Sequence, residues 1–392
     1  MIVKCLNSLE FEGDRKLQKD FFYKVPMGLT FDDVLLVPGY SEIDSRKNIC
    51  IQSGLSETLK FDVPIMAANM NKISEHAMVN AMCEVGATAA IHRFMSPKQI
   101  KDEYFKVDLE NRPKSGISIG VDSEFNDKII RSMAMGGDTG YEADLQNKRP
   151  GYVIIDVAHG DHIMVENTVK WIKERWPEVI IVAGNVCTGY AAKRLIDWGV
   201  GAIKVGIGPG SCCTTRIVAG CGYPQLSAIK NVSMVVKEYN QRNNKEIKLI
   251  ADGGIKNSGD AIKALCIGAD MVMIGGLIAG TSETPGNPLT IGRGNNKMVK
   301  VFEGMASFDA QKSFHNKDDD DIIPEGVATF VDYQGSVKCK ISKFAKSIKY
   351  GMSYLGCRNI KELHDYGEMP DSWVRITNNG NLEGLPHGCN TI

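Results

Sequence analysis

Short, continuously apolar runs recur along the chain. Each ends in Gly, Asn, Asp or His and is followed by a stretch with helical spacing. In order they are PIMAAN (64–69), ATAAIH (87–92), GISIG (116–120), YVIID (152–156), VIIVAG (179–184), GAIKVG (201–206), KLIAD (248–252) and MVMIG (271–275). A strand wetted on one face alternates apolar and polar residues, whereas runs apolar throughout suit parallel strands covered on both faces. The intervening HAMVNAMCEVG, VENTVKWIKERWPE, GYAAKRLIDWG and GDAIKALCIG read as amphipathic helices. This succession of eight strand-then-helix units predicts a (β/α)8 barrel rather than an open doubly wound sheet, with function at the C-terminal strand ends. Those ends carry Asn69, His92 and Arg93, Asp156, His159, Gly184 and Asn185, the 206–216 loop, Asp252 to Gly254, and Gly275 with Gly276.

Segments flank this pattern on both sides. Residues 1–60 read as an N-terminal extension, with LTFDDVLLVPGY (29–40) as a strand and turn that closes the bottom of the barrel or lines its entrance. After the eighth strand, 281–345 reads as a long irregular flap and active-site segment that includes NKDDDDIIPEG (316–326), before a helical run at KFAKSIKYGMSYLG (343–356). The four aspartates Asp318–Asp321 repel one another and favour a solvated loop. An irregular segment of that length is usually functional or disordered. The whole chain, 1–392, is expected to be a single catalytic barrel domain.

Composition narrows the function. Lys and Arg total 46 against 47 Asp and Glu, a net charge of −1, so no basic surface calls for nucleic acid or a membrane. The N-terminus MIVKCLNSLEFEGDRK is charged where a secretion signal needs an apolar run. No stretch approaches the roughly 20 apolar residues of a membrane span, and the expectation is a cytoplasmic protein. The 11 cysteines are scattered, odd in number and never spaced Cys-x-x-Cys, which fits reduced thiols rather than a disulfide framework.

A reactive cysteine must therefore stand out by its setting, and KVGIGPGSCCTTR (204–216) supplies one. Its glycines let a flat ligand approach, and its backbone N–H groups favour a thiolate. Adjacent Cys212 and Cys213 point in different directions, so one faces the site, and Thr215 shares the face of Cys213. No compact His/Cys cluster completes a metal site. The glycine pairs in ADGGI (251–255) and IGG (274–276), with the Ser211 hydroxyl, suit a phosphate belonging to a nucleotide, a sugar phosphate or flavin mononucleotide. Asp252 either accepts ribose hydroxyls or forms a salt bridge.

GIGPGSCCTTR (206–216) resembles the catalytic loop of the inosine monophosphate dehydrogenase and guanosine monophosphate reductase family, G-x-G-P-G-S-x-C-T-T-R. The resemblance extends through LTFDDVLLVP (29–38), AANM (67–70), AGNV (183–186), ADGGI, IGGLIAG (274–280), EGMAS (303–307) and PEG (324–326). It implies that Cys213, not Cys212, attacks C2 of a purine nucleotide. Ser211, Gly254, Gly275 and Gly276 would hold the 5′-phosphate and Asp252 the ribose hydroxyls. Met305, with Gly304, Ala306 and Met70, would lie along the purine. The resemblance places Asp156, Ala158, Asn185, Asn69 and Ser282 on the nicotinamide side. It sets the Gly208 and Gly210 carbonyls around a monovalent cation such as potassium, in a homotetramer.

Both activities of that family pass through a covalent cysteine–purine intermediate. The dehydrogenase reaches it by giving hydride from IMP to NAD, then hydrolyses it to XMP with an Arg-Tyr pair on a flap. The reductase reaches it by expelling ammonia from GMP, then takes hydride from NADPH to make IMP. Here SFDAQKSFHNKDDDDIIP (307–324) contains no Arg and no Tyr, and the short stretch from His92 to Gly116 leaves no room for a regulatory cystathionine-synthase-type pair. GYPQLSA (222–228) is reductase-like, whereas IIPEGV, YQGSV and VRITNNGNL are dehydrogenase-like. The expected activity is NADPH-dependent reductive deamination of GMP, with Thr215 and Glu283 protonating the leaving amine. The alternatives are an IMP dehydrogenase without the regulatory pair, a flavin-binding barrel, and a nucleotide-binding regulator without catalysis.

Overall fold

Eight parallel strands close into a ring in this computed structural model, which describes residues 25–134, 149–292, 296–315 and 322–385. They are β1 (Ile65–Ala67), β2 (Thr88–Ile91), β3 (Gly116–Ile119), β4 (Tyr152–Asp156), β5 (Ile180–Val186), β6 (Ala202–Val205), β7 (Lys248–Asp252) and β8 (Met271–Ile274). Every expected strand is present, and β8 pairs with β1 to shut the barrel, Val272 opposite Ile65 and Ile274 opposite Ala67. The fold is a (β/α)8 barrel.

Two apolar layers explain why the runs are apolar at every position. Residues such as Ile65, Ile155, Ile203 and Leu249 face the helices, while Met66, Ile154, Val182, Ala202, Ile250 and Met271 fill the interior. Strand side chains alternate between faces, so the inward set continues upward to Asp156, Lys204 and Asp252 at the C-terminal ends. Near the bottom, the buried Tyr152 hydroxyl lies 2.9 Å from Thr88 Oγ1. Gly116 makes room for that ring, because a Cβ there would stand 2.3 Å from Tyr152 Cε2. The hairpin Ser53–Gly54 with Lys60–Phe61 brings Leu55 and Phe61 into the same interior cluster.

Helices surround the ring: α1 (His76–Glu84), α2 (Pro97–Phe105), α3 (Ser123–Ala134), α4 (Ile163–Arg175), α5 (Gly189–Trp198), α6 (Gln225–Asn243) and α7 (Ser258–Cys266). Their starts are written locally. Ser96 and Gln99 form a capping box, and Thr188 and Asn257 accept the Ala191 and Asp260 amides. The eighth position is taken by α8 (Val337–Tyr354), packed against α7 and α1. The run at KFAKSIKYGMSYLG is thus a barrel helix, beginning inside the segment expected to be irregular.

That segment is also more regular than its sequence suggests. Leu289–Ile291, Lys297–Glu303 and Ala328–Asp332 form a three-stranded antiparallel sheet inserted between β8 and α8. Exposed apolar residues such as Leu289, Met298 and Phe330 hide its alternation, and one lysine is buried: Lys300 donates to the carbonyls of Thr281 at 3.1 Å and Thr284 at 2.6 Å. The run Asp318–Asp321 lies outside the described residues. At the other end, Thr30 and Asp33 cap a short 3-10 helix, Phe31–Asp33. The following strand Val34–Leu36 pairs with Trp373–Arg375. Thr30, Phe31 and Asp32 line the cleft described below, so this stretch lines the entrance.

Candidate active site

A cleft of about 850 Å³ opens at the C-terminal ends of the strands. The loop after β6 enters it through a one-turn helix, Thr215–Val218. Cys213 N–H donates to the Gly210 carbonyl at 3.1 Å, and its thiol donates to Thr215 Oγ1 at 3.2 Å. The Thr215 hydroxyl donates in turn to Glu325 Oε2 at 2.8 Å. Sulfur, hydroxyl and carboxylate therefore form a continuous path for a proton. Cys212 faces the other way and is buried, which pushes its thiol pKa up.

Backbone pairing rather than side-chain chemistry brings Glu325 there. Thr214 N–H donates to the Glu325 carbonyl at 2.9 Å, Val327 N–H to Cys212 at 3.0 Å, and Glu325 N–H to Ala306 at 2.9 Å. The 304–307 and 325–327 segments thus zip onto the cysteine loop. Glu283, the carboxylate expected beside Thr215, is engaged elsewhere. It accepts from the Ser336 hydroxyl at 2.7 Å and the Val337 amide at 2.8 Å, capping α8. These bonds outweigh burial and hold its pKa below the usual range. The expectation is corrected: the carboxylate partner of Thr215 is Glu325.

The glycine-bearing strand ends converge opposite this path. Gly254 adopts φ +78°, a left-handed conformation that disfavours a side chain. A Cβ on Gly276 would stand 2.9 Å from Ser211 Oγ, so that glycine keeps the hydroxyl and the backbone in one small bay. Gly275 lies against Met70 and Ala68. Gly304, Met305 and Ala306 complete the wall beside Cys213.

The floor is ionic. Lys204, buried among the strand ends, lies 2.9 Å from Asp252 Oδ2 and 3.3 Å from Asp156 Oδ1. Asn185 Nδ2 donates to the same Asp252 oxygen at 2.8 Å, and Arg93 Nε lies 3.4 Å from Asp156 Oδ2. Burial pushes the Asp156 carboxyl up, but Lys204 and Arg93 overcome it and hold its pKa below the ordinary value. Burial disfavours the Lys204 ammonium, yet Asp252 and Asp156 raise its pKa. Gln225, at the start of α6, ties the strand ends together by donating to the carbonyls of Val205 at 2.8 Å and Asp252 at 3.1 Å.

Of the residues expected on the nicotinamide side, Asp156, Ala158 and Asn185 line the cleft with Arg93 and Phe94. Asn69 does not. It is buried behind the wall, its side chain adjoining Asp156. Nor does Ser282, whose amide donates to the Gly335 carbonyl at 2.8 Å and whose hydroxyl donates to Glu283. Gly208, Gly210 and Ser211 all line the cleft. Sequence reasoning did not assign Glu325, Lys204 or Gln225. Only Lys204 carried a local signal, a charge at an inward position of an apolar strand. A second hollow, about 500 Å³, lies beside Phe94. Of its charged residues, Glu103 pairs with Lys106 and His76, and Lys72 with Glu303.

Comparison with known proteins agrees with this geometry. The family model described as "IMP dehydrogenase / GMP reductase domain" matches residues 28–387. The inosine-5′-monophosphate dehydrogenase of Cryptosporidium parvum is 34% identical, over 93% of this chain and 96% of the relative. The GMP reductase of Lactobacillus delbrueckii subsp. bulgaricus is 32% identical, over 85% and 92%. Among solved structures, a GMP reductase from Trypanosoma brucei in complex with guanosine 5′-monophosphate aligns with a TM-score of 0.81 at 26% identity, covering 95% of this chain and 100% of that one. The chain therefore belongs to the IMP dehydrogenase / GMP reductase family, oxidoreductases of purine nucleotides that use nicotinamide dinucleotides.

Proposed function

We propose that the protein is a GMP reductase, converting GMP to IMP and ammonia with NADPH. Two features support the reading together: the Cys213–Thr215–Glu325 path, and a 307–324 segment without the Arg-Tyr pair that hydrolysis of the adduct requires. The second observation carries the direction. A chain that forms the adduct but lacks the water-activating base is suited to discharge it by hydride.

In this reading the Cys213 sulfur bonds to C2 of GMP as its proton passes through Thr215 to Glu325. The Glu325 carboxyl returns a proton to the 2-amino group, which leaves as ammonia when its bond to C2 breaks. Ser211, Gly254, Gly275 and Gly276 hold the phosphate, Asp252 the ribose, and Met305, Gly304, Ala306 and Met70 flank the base. Asp156, Ala158 and Asn185 present polar and backbone groups where the nicotinamide would lie, in the same cleft. NADPH bound there supplies hydride to C2, and the departing sulfur leaves IMP. The Gly208 and Gly210 carbonyls, uncharged oxygen donors on a loop that lines the cleft, suit a monovalent cation.

The test is absorbance of the reduced nicotinamide band. GMP with NADPH should lose the band and release ammonia. Sustained growth of the band with IMP and NAD would overturn the reading in favour of the dehydrogenase. The identity and near-full coverage of the Cryptosporidium enzyme favour that alternative.

A further inference from the structure

We propose that Lys204 is a positioning residue that couples the purine-nucleotide side of the cleft to the dinucleotide side. The inference rests on the reading above, in which Asp252 meets the ribose and Asp156 the nicotinamide half. Strand register makes the arrangement possible. Lys204 sits on β6 opposite Ile250 of β7, so Asp252 is its near neighbour, whereas Asp156 lies two strands away on β4. The residue between them is Gly184 on β5, paired with Asp156 on one side and Lys204 on the other. A Cβ at Gly184 would stand 2.7 Å from the Lys204 Cβ, so its missing side chain clears the path for the ammonium to span both carboxylates.

One positive charge thus serves two binding sites. It engages Asp252 Oδ2 at 2.9 Å and Asp156 Oδ1 at 3.3 Å. Asn185 also bonds Asp252 Oδ2, and Arg93 faces the other oxygen of Asp156. A ligand that draws on Asp156 changes how firmly Lys204 holds Asp252, and so changes the orientation of the carboxylate offered to the ribose. Linkage requires the effect to be reciprocal.

The test uses the full chain and a pair of ligands that does not turn over, GMP and NADP⁺. GMP is titrated calorimetrically without NADP⁺ and with NADP⁺ at saturation. Wild type should show GMP affinity changed by at least about fivefold, the low end of usual coupling. Lys204→Met should bring that factor to about one and weaken GMP at least about tenfold, since it leaves two carboxylates facing each other. Lys204→Arg keeps the charge and should retain the coupling, which a purely structural role would not predict. Asp156→Asn leaves Lys204 its nearer partner and should also abolish coupling, which covers a Lys204→Met chain that fails to fold. An uncoupled wild type, or coupling that survives in Lys204→Met or Asp156→Asn, overturns the inference. A wild type that binds neither GMP nor IMP overturns the functional reading and the inference with it.

Discussion

Replacing Glu325 by Gln removes one proton-accepting group and little else. The Glu325 carbonyl and amide are held by Thr214 and Ala306, each at 2.9 Å, and Gln keeps both bonds. Its side chain still reaches Thr215, but as a neutral amide it cannot take the proton that the proposed reaction passes on from Cys213. Loss of a positioned acid–base group lowers a rate by about 10²- to 10⁴-fold, or about 3–5 kcal/mol of transition-state stabilisation. Folding stability should move by no more than about 0.5 kcal/mol, as for substitutions that spare packing and backbone bonds. The assay follows NADPH absorbance and ammonia release separately, with thermal melts as the control. Glu283→Gln is the companion variant. It should cost about 1 kcal/mol of stability through the weakened cap of α8 and leave turnover per folded molecule intact. Wild-type turnover in Glu325→Gln, or an equal loss in Glu283→Gln, would refute the reasoning.

Cys213→Ala should abolish turnover, and Cys212→Ala should largely spare it. In wild type, mass spectrometry after iodoacetamide treatment should find Cys213 protected by GMP and Cys212 unlabelled, because burial raises the Cys212 pKa. Gly276→Ala places a methyl 2.9 Å from Ser211 Oγ and should drive that hydroxyl out of the bay. The expected result is a KM for the nucleotide raised by about tenfold, the loss of one hydrogen bond to a charged group, with the melting temperature almost unchanged. Asp156 has a folded-state pKa below its ordinary 3.8, so its contribution to stability is complete above that value and lost as pH falls through the lower one. Acid denaturation of Asp156→Asn, monitored by circular dichroism, should lack that component, and an identical stability–pH slope below pH 4 would contradict it.

How much of this was legible in the sequence depends on how local each feature is. The eight strands were, because a parallel strand buried on both faces must be apolar along its whole length, and YVIID or MVMIG is that wherever it sits. The cysteine loop was legible too, since glycines, Ser211, Cys213 and Thr215 lie within ten residues of one another and the backbone alone sets their relation. The sheet of residues 289–332 was not, because its buried Lys300 and exposed Leu289, Met298 and Phe330 break the two-residue period that marks a half-buried strand.

Glu325 and Glu283 show the limit most plainly. Each is a carboxylate in a segment after β8, and neither neighbourhood tells which will meet a threonine more than sixty residues upstream. That choice is made by the pairing of Gly326 with Cys213, a contact that exists only once the inserted segment folds back over the barrel. Lys204 is similar: alternation points it inward, but only the side-by-side pairing of β4, β5, β6 and β7 brings the ends of β4 and β7 within its reach. The sequence by itself determined the barrel and the make-up of the cysteine loop, because hydrophobic period and loop chemistry act over a few residues. The tertiary structure alone decided which carboxylate meets Thr215 and which charges share the floor, because those pairings join groups that the chain keeps far apart.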